Sequence, residues 1–145
     1  MDKVHITHSP AETGKIAGKL LPLLAAKKIV CLYGELGSGK TTFVQGLAKA
    51  LGIKKNIPSP TFILIREYPI EKLPITKLIH VDCYRLESEK DIRAVDLKEL
   101  WQNKRNLVVI EWAERIKSIL PKERTDLCFE YVNADEKTRK ITVFR

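Results

Sequence analysis

The sequence lacks the features that mark secreted, redox-active, zinc-binding or membrane-spanning proteins. Its three cysteines, Cys31, Cys83 and Cys128, lie far apart and form no C-x-x-C pair. Neither a zinc site nor a redox pair is therefore predicted, and buried free thiols are expected. The first ten residues are polar and have no apolar core of a signal peptide. No apolar stretch approaches the length of a membrane span. These absences predict a cytoplasmic protein that does not contact the membrane.

The chain also has no run of five or six like charges, no internal repeat and no low-complexity linker. Its net charge is nevertheless +8, from 26 Lys and Arg against 18 Asp and Glu. Such an excess is typical of a basic soluble surface, or of a protein that binds a polyanion such as RNA, DNA or a nucleotide. The net charge alone does not distinguish a basic surface from a polyanion-binding site. The length of 145 residues predicts one domain, residues 1–145.

Strand and helix patterns alternate along the chain. The apolar runs Ile29–Tyr33 and Leu107–Ile110 are typical of strands covered on both faces, as in a parallel sheet. From Lys40 the pattern is helical, and Gly52 is placed to end that helix at its C′ position. The sequence therefore predicts an α/β fold with a largely parallel central sheet and a C-terminal antiparallel hairpin.

The remaining elements are predicted from caps, breakers and alternation. Ser9 is the expected N-cap of a helix from Pro10, with Glu12 as the return partner of a capping box. Pro22 is expected to kink or end that helix. Strands are predicted at Val4–Thr7, Thr61–Tyr68 and from Leu78, helices at Ser88–Trp101 and Ala113–Leu120, and a hairpin from Asp126–Val132 and Arg139–Phe144 with its turn at 134–136.

The segment Gly34–Thr41 matches the phosphate-binding pattern G-x-x-x-x-G-K-[ST] at every fixed position. A strand pattern precedes it and a helix pattern follows it, as this motif requires. Lys40 would place its charge on the β- and γ-phosphates, the Thr41 hydroxyl would ligate Mg²⁺, and Thr42 would reach the α-phosphate. Backbone N–H groups would cradle the phosphates at Gly37, Ser38 and Gly39. A three-layer P-loop NTPase-like fold is predicted. Asn103–Asn106 lacks the N-K-x-D form that reads guanine, which favours ATP.

Two acids follow apolar strands and are candidates to complete the site. Glu111 ends the strand Leu107–Ile110, and Asp82 ends the strand that begins at Leu78. The carboxyl ends of parallel strands meet at one edge of the sheet, where ligands bind. We predict that Glu111 is the magnesium acid and that Asp82 orients the attacking water, although the two roles are exchangeable. The alternative is that each is an ordinary strand-end acid.

Other residues near these motifs leave two interpretations open. Ser59–Phe62, which contains Thr61, is either a γ-phosphate sensor or a simple turn. Tyr84–Arg85 either supplies a cation to phosphates or RNA, or forms a surface salt bridge. Trp112 is a packing residue or a contact residue. The three histidines have no ligand spacing and are interpreted as structural: His5, His8 and His80.

These segments together resemble the TsaE family, small P-loop ATPases of bacterial tRNA threonylcarbamoyladenosine synthesis. The resemblance rests on four segments in series, which are Leu32–Phe43, Ser59–Phe62, Asp82–Leu86 and Ile110–Trp112. It implies an ATPase that acts with two partner proteins, TsaB and TsaD, and resets their complex between turnovers. It also implies magnesium positions at Thr41 and Glu111, a role in hydrolysis for Asp82, and proximity of Thr13 to the adenine.

The sequence departs from the family pattern at only a few positions. Family members commonly have Asp-Leu-Gly-Ala where this chain has Glu35–Ser38, and Leu in place of Cys83. These are variable or conservative positions. Contact with tRNA is possible on the basic surface, and no DNA partner is expected.

Three functions are compatible with the P-loop. The first is a partner-dependent ATPase in tRNA modification, with Lys40, Asp82 and Glu111 in catalysis. The second is a small-molecule kinase, but its acceptor pocket and arginine-bearing lid have little room in 145 residues. The third is a non-catalytic nucleotide- or RNA-binding module, which leaves Asp82 and Glu111 without a role. The first is preferred.

Overall fold

Seven strands form one mixed sheet in the computed structural model, which describes residues 2–55, 57, 65–72, 74–86, 97–132 and 135–144. The strands are β1 (Lys3–Thr7), β2 (Ile29–Tyr33), β3 (Ile65–Lys72), β4 (Ile75–Asp82), β5 (Asn106–Glu111), β6 (Thr125–Val132) and β7 (Asp135–Phe144). The helices are α1 (Pro10–Lys27), α2 (Lys40–Ala50) and α3 (Leu97–Gln102), with a 3₁₀ helix at Ala113–Ile119. In the part of the chain described, no helix is long and apolar enough to cross a membrane.

The strands lie in the order β1-β7-β6-β2-β5-β4-β3. The four central strands, β6, β2, β5 and β4, are parallel neighbours. Antiparallel pairing adds β7 and β1 on one side and β3 on the other. The predicted α/β fold with a parallel central sheet and a C-terminal hairpin is confirmed. β2 and β5 lie in the middle of this sheet, which explains their continuous apolar sequences.

The two faces of the sheet are covered by different helices. Alternate strand residues such as Leu32 and Val109 pack in one core cluster with α1 and α2. Their neighbours Cys31 and Ile110 pack in a second cluster with α3 and the 3₁₀ helix. This alternation follows from the period of two in a strand, and it gives the three layers that the sequence predicted.

Helix α1 begins where it was predicted but differs in two details. The Ser9 hydroxyl accepts a hydrogen bond from the Glu12 N–H at 3.2 Å, as expected of an N-cap. The Glu12 carboxylate, however, accepts from the N–H of His8 at 2.9 Å, one residue before the cap, so the predicted capping-box partner was wrong. The helix also does not end at Pro22. Pro22 is exposed, so water can bond to the carbonyl that lacks its N–H partner, and the helix continues to Lys27.

Helix α2 ends at Gly52, as predicted. Gly52 has φ 83° and donates its N–H to the carbonyl of Lys49 at 3.1 Å, while the N–H of Ile53 bonds to the carbonyl of Ala48 at 3.0 Å. This pair of hydrogen bonds is the Schellman motif, whose left-handed residue is usually glycine.

Other predicted elements are recovered in part. The helix predicted at Ser88–Trp101 corresponds to α3, and its segment 88–96 lies outside the described residues. The strand predicted from Thr61 is described from Ile65. The helix predicted at Ala113–Leu120 is a 3₁₀ helix at Ala113–Ile119, and it is kinked at Ile116, which has non-helical angles, φ −128° and ψ 31°.

Candidate active site

The P-loop connects β2 to α2 through three glycines with positive φ. Gly34 has φ 149°, Gly37 has φ 77° and Gly39 has φ 106°. A Cβ atom on Gly34 would lie 2.6 Å from the carbonyl oxygen of Phe129 on β6. The glycine at this position is therefore required by close packing as well as by its backbone angles.

A cavity of about 460 Å³ opens beside the loop. All of the predicted site residues that the structure describes line it, namely Thr13, Gly37, Ser38, Gly39, Lys40, Thr41, Thr42, Asp82 and Glu111. Thr61 and the rest of Ser59–Phe62 lie outside the described residues. The structure thus brings together residues from α1, the P-loop and the ends of β4 and β5.

Lys40 extends back along the P-loop. Its ammonium donates to the carbonyl of Gly34 and, at 3.0 Å, to the carbonyl of Glu35. It lies 4.1 Å from the ring centroid of Trp112, a cation–π distance. Burial lowers the pKa of Lys40, and the negative charge of Glu111 acts in the opposite direction. The cation is thereby fixed between backbone oxygens and an aromatic face.

The carboxylate of Glu111 receives hydrogen bonds from two other elements. The Thr41 hydroxyl, at the start of α2, lies 3.0 Å from Oε1 and 3.2 Å from Oε2. Nε2 of His80, on β4, lies 2.5 Å from Oε2. Glu111 is 2% exposed, so this carboxylate is held almost entirely by protein groups.

The contact of His80 with Glu111 was not predicted from the sequence, where His80 is interpreted as structural. The signal that identifies it is strand periodicity. His80 and Asp82 are two residues apart on β4 and therefore share one face of the strand. The register pairs His80 with Val109 and Asp82 with Glu111 on the neighbouring β5.

Asp82 lies beside Glu111 at the same edge of the sheet. The two residues are register partners on parallel strands, and Asp82 is 4% exposed. Its Oδ1 accepts the N–H of Tyr84 at 2.9 Å. The structure therefore places both predicted acids at the carboxyl ends of adjacent strands, facing the cavity.

Trp112 both packs and contacts the site. Its backbone is left-handed, with φ 57° and ψ 43°, which is uncommon for a bulky residue. Its ring lies 5.0 Å from that of Tyr84, measured between centroids, and also over Lys40. This turn directly after Glu111 places an aromatic surface at the wall of the cavity.

The other end of the cavity is formed by α1 and the C-terminal hairpin. The hydroxyls of Thr13 and Thr7 are 2.8 Å apart and buried. Tyr131 donates its hydroxyl to the carbonyl of Leu36 at 2.7 Å, and Arg139 donates to the carbonyl of Gly37 at 3.3 Å. No motif in the sequence identified Tyr131 or Arg139, because their proximity to the P-loop depends on the strand order.

Comparison with known proteins places the chain in a family. Residues 7–141 match the family described as "Threonylcarbamoyl adenosine biosynthesis protein TsaE". Two curated relatives, both described as "tRNA threonylcarbamoyladenosine biosynthesis protein TsaE", come from Aquifex aeolicus and Bacillus subtilis. The first is 37% identical over 142 residues, covering 97% of this chain and 94% of the relative. The second is 38% identical over 136 residues, covering 94% of this chain and 81% of the relative.

A solved structure is similar over nearly the whole chain. The crystal structure of Bacillus subtilis YdiB superimposes with a TM-score of 0.75 and 30% sequence identity, covering 99% of this chain and 84% of that one. The chain belongs to the TsaE family, whose proteins act in tRNA threonylcarbamoyladenosine biosynthesis.

Proposed function

We propose that this protein is a magnesium-dependent ATPase that supports the complex forming threonylcarbamoyladenosine next to the anticodon in tRNA. The observation that carries the proposal is the meeting of Lys40, Thr41, Asp82 and Glu111 in one cavity at the P-loop. A phosphate cradle alone would only bind a nucleotide. Two buried acids beside it provide groups for metal binding and for activation of water.

The donor atoms in this cavity suit magnesium. The Thr41 hydroxyl and the Glu111 carboxylate are hard oxygen donors and are already within 3.0 Å of each other. In the described part of the chain, no group of three or more His, Cys, Asp or Glu is placed to hold a metal by itself. Magnesium commonly takes one or two protein oxygens together with phosphate oxygens and water. When bound, the ion would neutralise charge on the β- and γ-phosphates.

The chain's own groups account for the remaining parts of hydrolysis. Backbone N–H groups from Gly37 to Thr42, in the loop and at the start of α2, would hold the phosphates. Lys40 would exchange its bonds to the loop carbonyls for bonds to phosphate oxygens. Asp82 would orient the attacking water and accept its proton. A γ-phosphate contact from Thr61 remains part of the proposal.

The biological setting is proposed from the family. The curated relatives carry the name of tRNA threonylcarbamoyladenosine biosynthesis proteins, which supports a role in that modification. The partners TsaB and TsaD and a location in the cytoplasm are proposed from the resemblance. The net charge of +8 is compatible with contact to tRNA in that complex. Adenine as the base, and its position near Thr13, are proposed from the resemblance.

The proposal is tested first by binding of ATP to Lys40→Ala. We expect a loss of at least about 100-fold in ATP affinity by calorimetry, since hydrogen bonds to charged groups contribute ~1.5–3 kcal/mol each. Lys49→Ala is the matched control, because Lys49 is exposed on the same helix and its removal changes the charge equally. Wild-type affinity in Lys40→Ala would overturn the P-loop assignment.

Turnover measurements separate the ATPase from its alternatives. ATP hydrolysis is measured for the protein alone, with TsaB, TsaD and tRNA, and with candidate phosphoryl acceptors. We expect release of free phosphate that accelerates when the partners are present. Transfer of phosphate to an acceptor would indicate a kinase, and binding without turnover under every condition would indicate a non-catalytic module.

A further inference from the structure

The role of the His80 imidazole, which contacts Glu111 at the cavity, is not explained by the P-loop or by the two acids. The imidazole is fully buried, in a face of the sheet whose other members are largely apolar. Its Nε2 lies 2.5 Å from Oε2 of Glu111. A buried polar side chain that served packing alone would be replaceable by an apolar one, whereas this one contacts a carboxylate at the cavity.

We propose that His80 is a positioning residue that fixes the Glu111 carboxylate for magnesium, a role that rests on the proposed function. In the tautomer with its proton on Nε2, His80 donates a hydrogen bond to Oε2 of Glu111. The Thr41 hydroxyl, on α2, donates to the same carboxylate. Two donors from β4 and α2 therefore define the plane of the carboxylate.

The surroundings of the imidazole support this assignment of the proton. Nδ1 of His80 is buried and has no hydrogen-bond partner in the part of the chain that the structure describes. A lone pair on Nδ1 is cheaper to leave unpaired than a buried N–H group would be, since under-satisfied acceptors are tolerated more often than orphaned donors. Within that part of the chain, the hydrogen bond that this side chain makes is directed at Glu111.

The geometry also explains why the carboxylate needs such a partner. Glu111 is 2% exposed, so its carboxylate depends mainly on protein groups for its orientation. If His80 were absent, Oε2 would lose its shorter contact and the Thr41 hydroxyl alone would orient the carboxylate. Groups that orient a metal ligand typically change metal affinity by 10- to 100-fold when they are removed.

The test uses two variants of His80 whose side-chain amide N–H groups lie at different distances from the backbone. The amide nitrogen of His80→Gln reaches the position of Nε2, whereas that of His80→Asn stays near the position of Nδ1. Mg²⁺ is titrated by calorimetry into the ADP complex of each protein, where no turnover occurs. ADP binding in the presence of EDTA and thermal unfolding without ligand are measured alongside.

We expect His80→Gln to bind Mg²⁺ nearly as wild type does, and His80→Asn to bind it ~10- to 100-fold more weakly. ADP affinity in EDTA should be equal in all three proteins. Wild-type Mg²⁺ affinity in His80→Asn, or an equal loss in both variants, would overturn the positioning role. A wild-type protein whose nucleotide binding does not respond to Mg²⁺ would overturn the proposed function itself, and this is seen before any variant is made.

A second measurement identifies the tautomer of His80 directly in the wild-type protein. Proton–nitrogen NMR of the wild-type imidazole identifies which ring nitrogen carries the proton. We expect a proton on Nε2 whose signal shifts in Glu111→Gln. A proton on Nδ1 alone would overturn the proposal.

Discussion

Asp82 and Glu111 lie side by side, but their hydrogen bonds differ. Glu111 accepts from the side chains of Thr41 and His80, and Asp82 accepts the backbone N–H of Tyr84. A carboxylate tied to the Thr41 hydroxyl is suited to share a metal ion with it. The proposed division of roles, with Glu111 at the metal and Asp82 at the water, is supported by this hydrogen bond between Thr41 and Glu111.

The substitution Asp82→Asn tests that division. The side-chain oxygen that accepts from Tyr84 is retained, but the negative charge and the capacity to accept a proton are lost. We expect ATP affinity to change little and single-turnover hydrolysis to fall by ~10²–10⁴-fold, the usual contribution of a general base. Rapid mixing of protein with ATP and magnesium measures the rate.

Glu35→Gln is the control for Asp82→Asn. Glu35 is an exposed acid of the P-loop, and its substitution removes the same charge near the same cavity. We expect an unchanged rate in this control. A wild-type single-turnover rate in Asp82→Asn would remove Asp82 from the mechanism.

At the scale of elements, the position of the cavity depends on how closely α1 and α2 cross. A Cβ atom on Gly46 of α2 would lie 2.4 Å from Cα and 2.5 Å from the carbonyl oxygen of Gly14 on α1. A Cβ atom on Gly14 would instead lie 3.6 Å from Cα of Gly46, an ordinary contact. The two glycines of one crossing are therefore not equivalent. Their crossing also fixes Thr13 of α1 beside the P-loop.

This asymmetry predicts opposite results for two alanine substitutions. Gly46→Ala forces the backbones of the helices apart, and we expect it to lower the free energy of unfolding by about 1–3 kcal/mol. Gly14→Ala gains helix propensity of up to ~1 kcal/mol without a clash, so we expect equal or higher stability. Urea unfolding of both variants measures the difference. Equal effects at the two positions would show that the helices do not cross as closely as described.

The elements also show which parts of the molecule were predictable. The strands β2 and β5, the N-cap Ser9 and the terminating Gly52 were found because their signals are local in sequence. The strand order is not local, so no pattern placed β6 and β7 beside the P-loop with Tyr131 and Arg139.

The same distinction holds within the site. Lys40, Thr41, Asp82 and Glu111 were identified because they occupy fixed positions in a motif or at strand ends. The contact of His80 with Glu111 was missed, since it requires the pairing register between β4 and β5. The apolar sequence of β5, which ends directly before Trp112, gave no indication that the Trp112 backbone is left-handed.

At the scale of the whole molecule, two thiols buried in the core make the free energy of unfolding depend on pH. Cys31 on β2 and Cys83 after β4 are fully buried in the core cluster that contacts the 3₁₀ helix. Burial raises the pKa of each thiol to about 12, and the negative charges of Asp126 and Asp82 respectively act in the same direction. Both thiols therefore stay protonated in the folded protein at pH values where they ionise in the unfolded chain.

The free energy of unfolding should consequently fall as the pH rises from about 9 towards about 12. In this range the folded state binds more protons than the unfolded state, so each thiol contributes a slope of up to ~1.4 kcal/mol per pH unit. Below the ordinary thiol pKa the contribution is complete and constant. Urea unfolding of wild type and of Cys31→Ala/Cys83→Ala from pH 8 to 11 compares the slopes. Because the other titrating groups are common to both proteins, the double variant should lose stability less steeply, and identical slopes would contradict the assignment to these thiols.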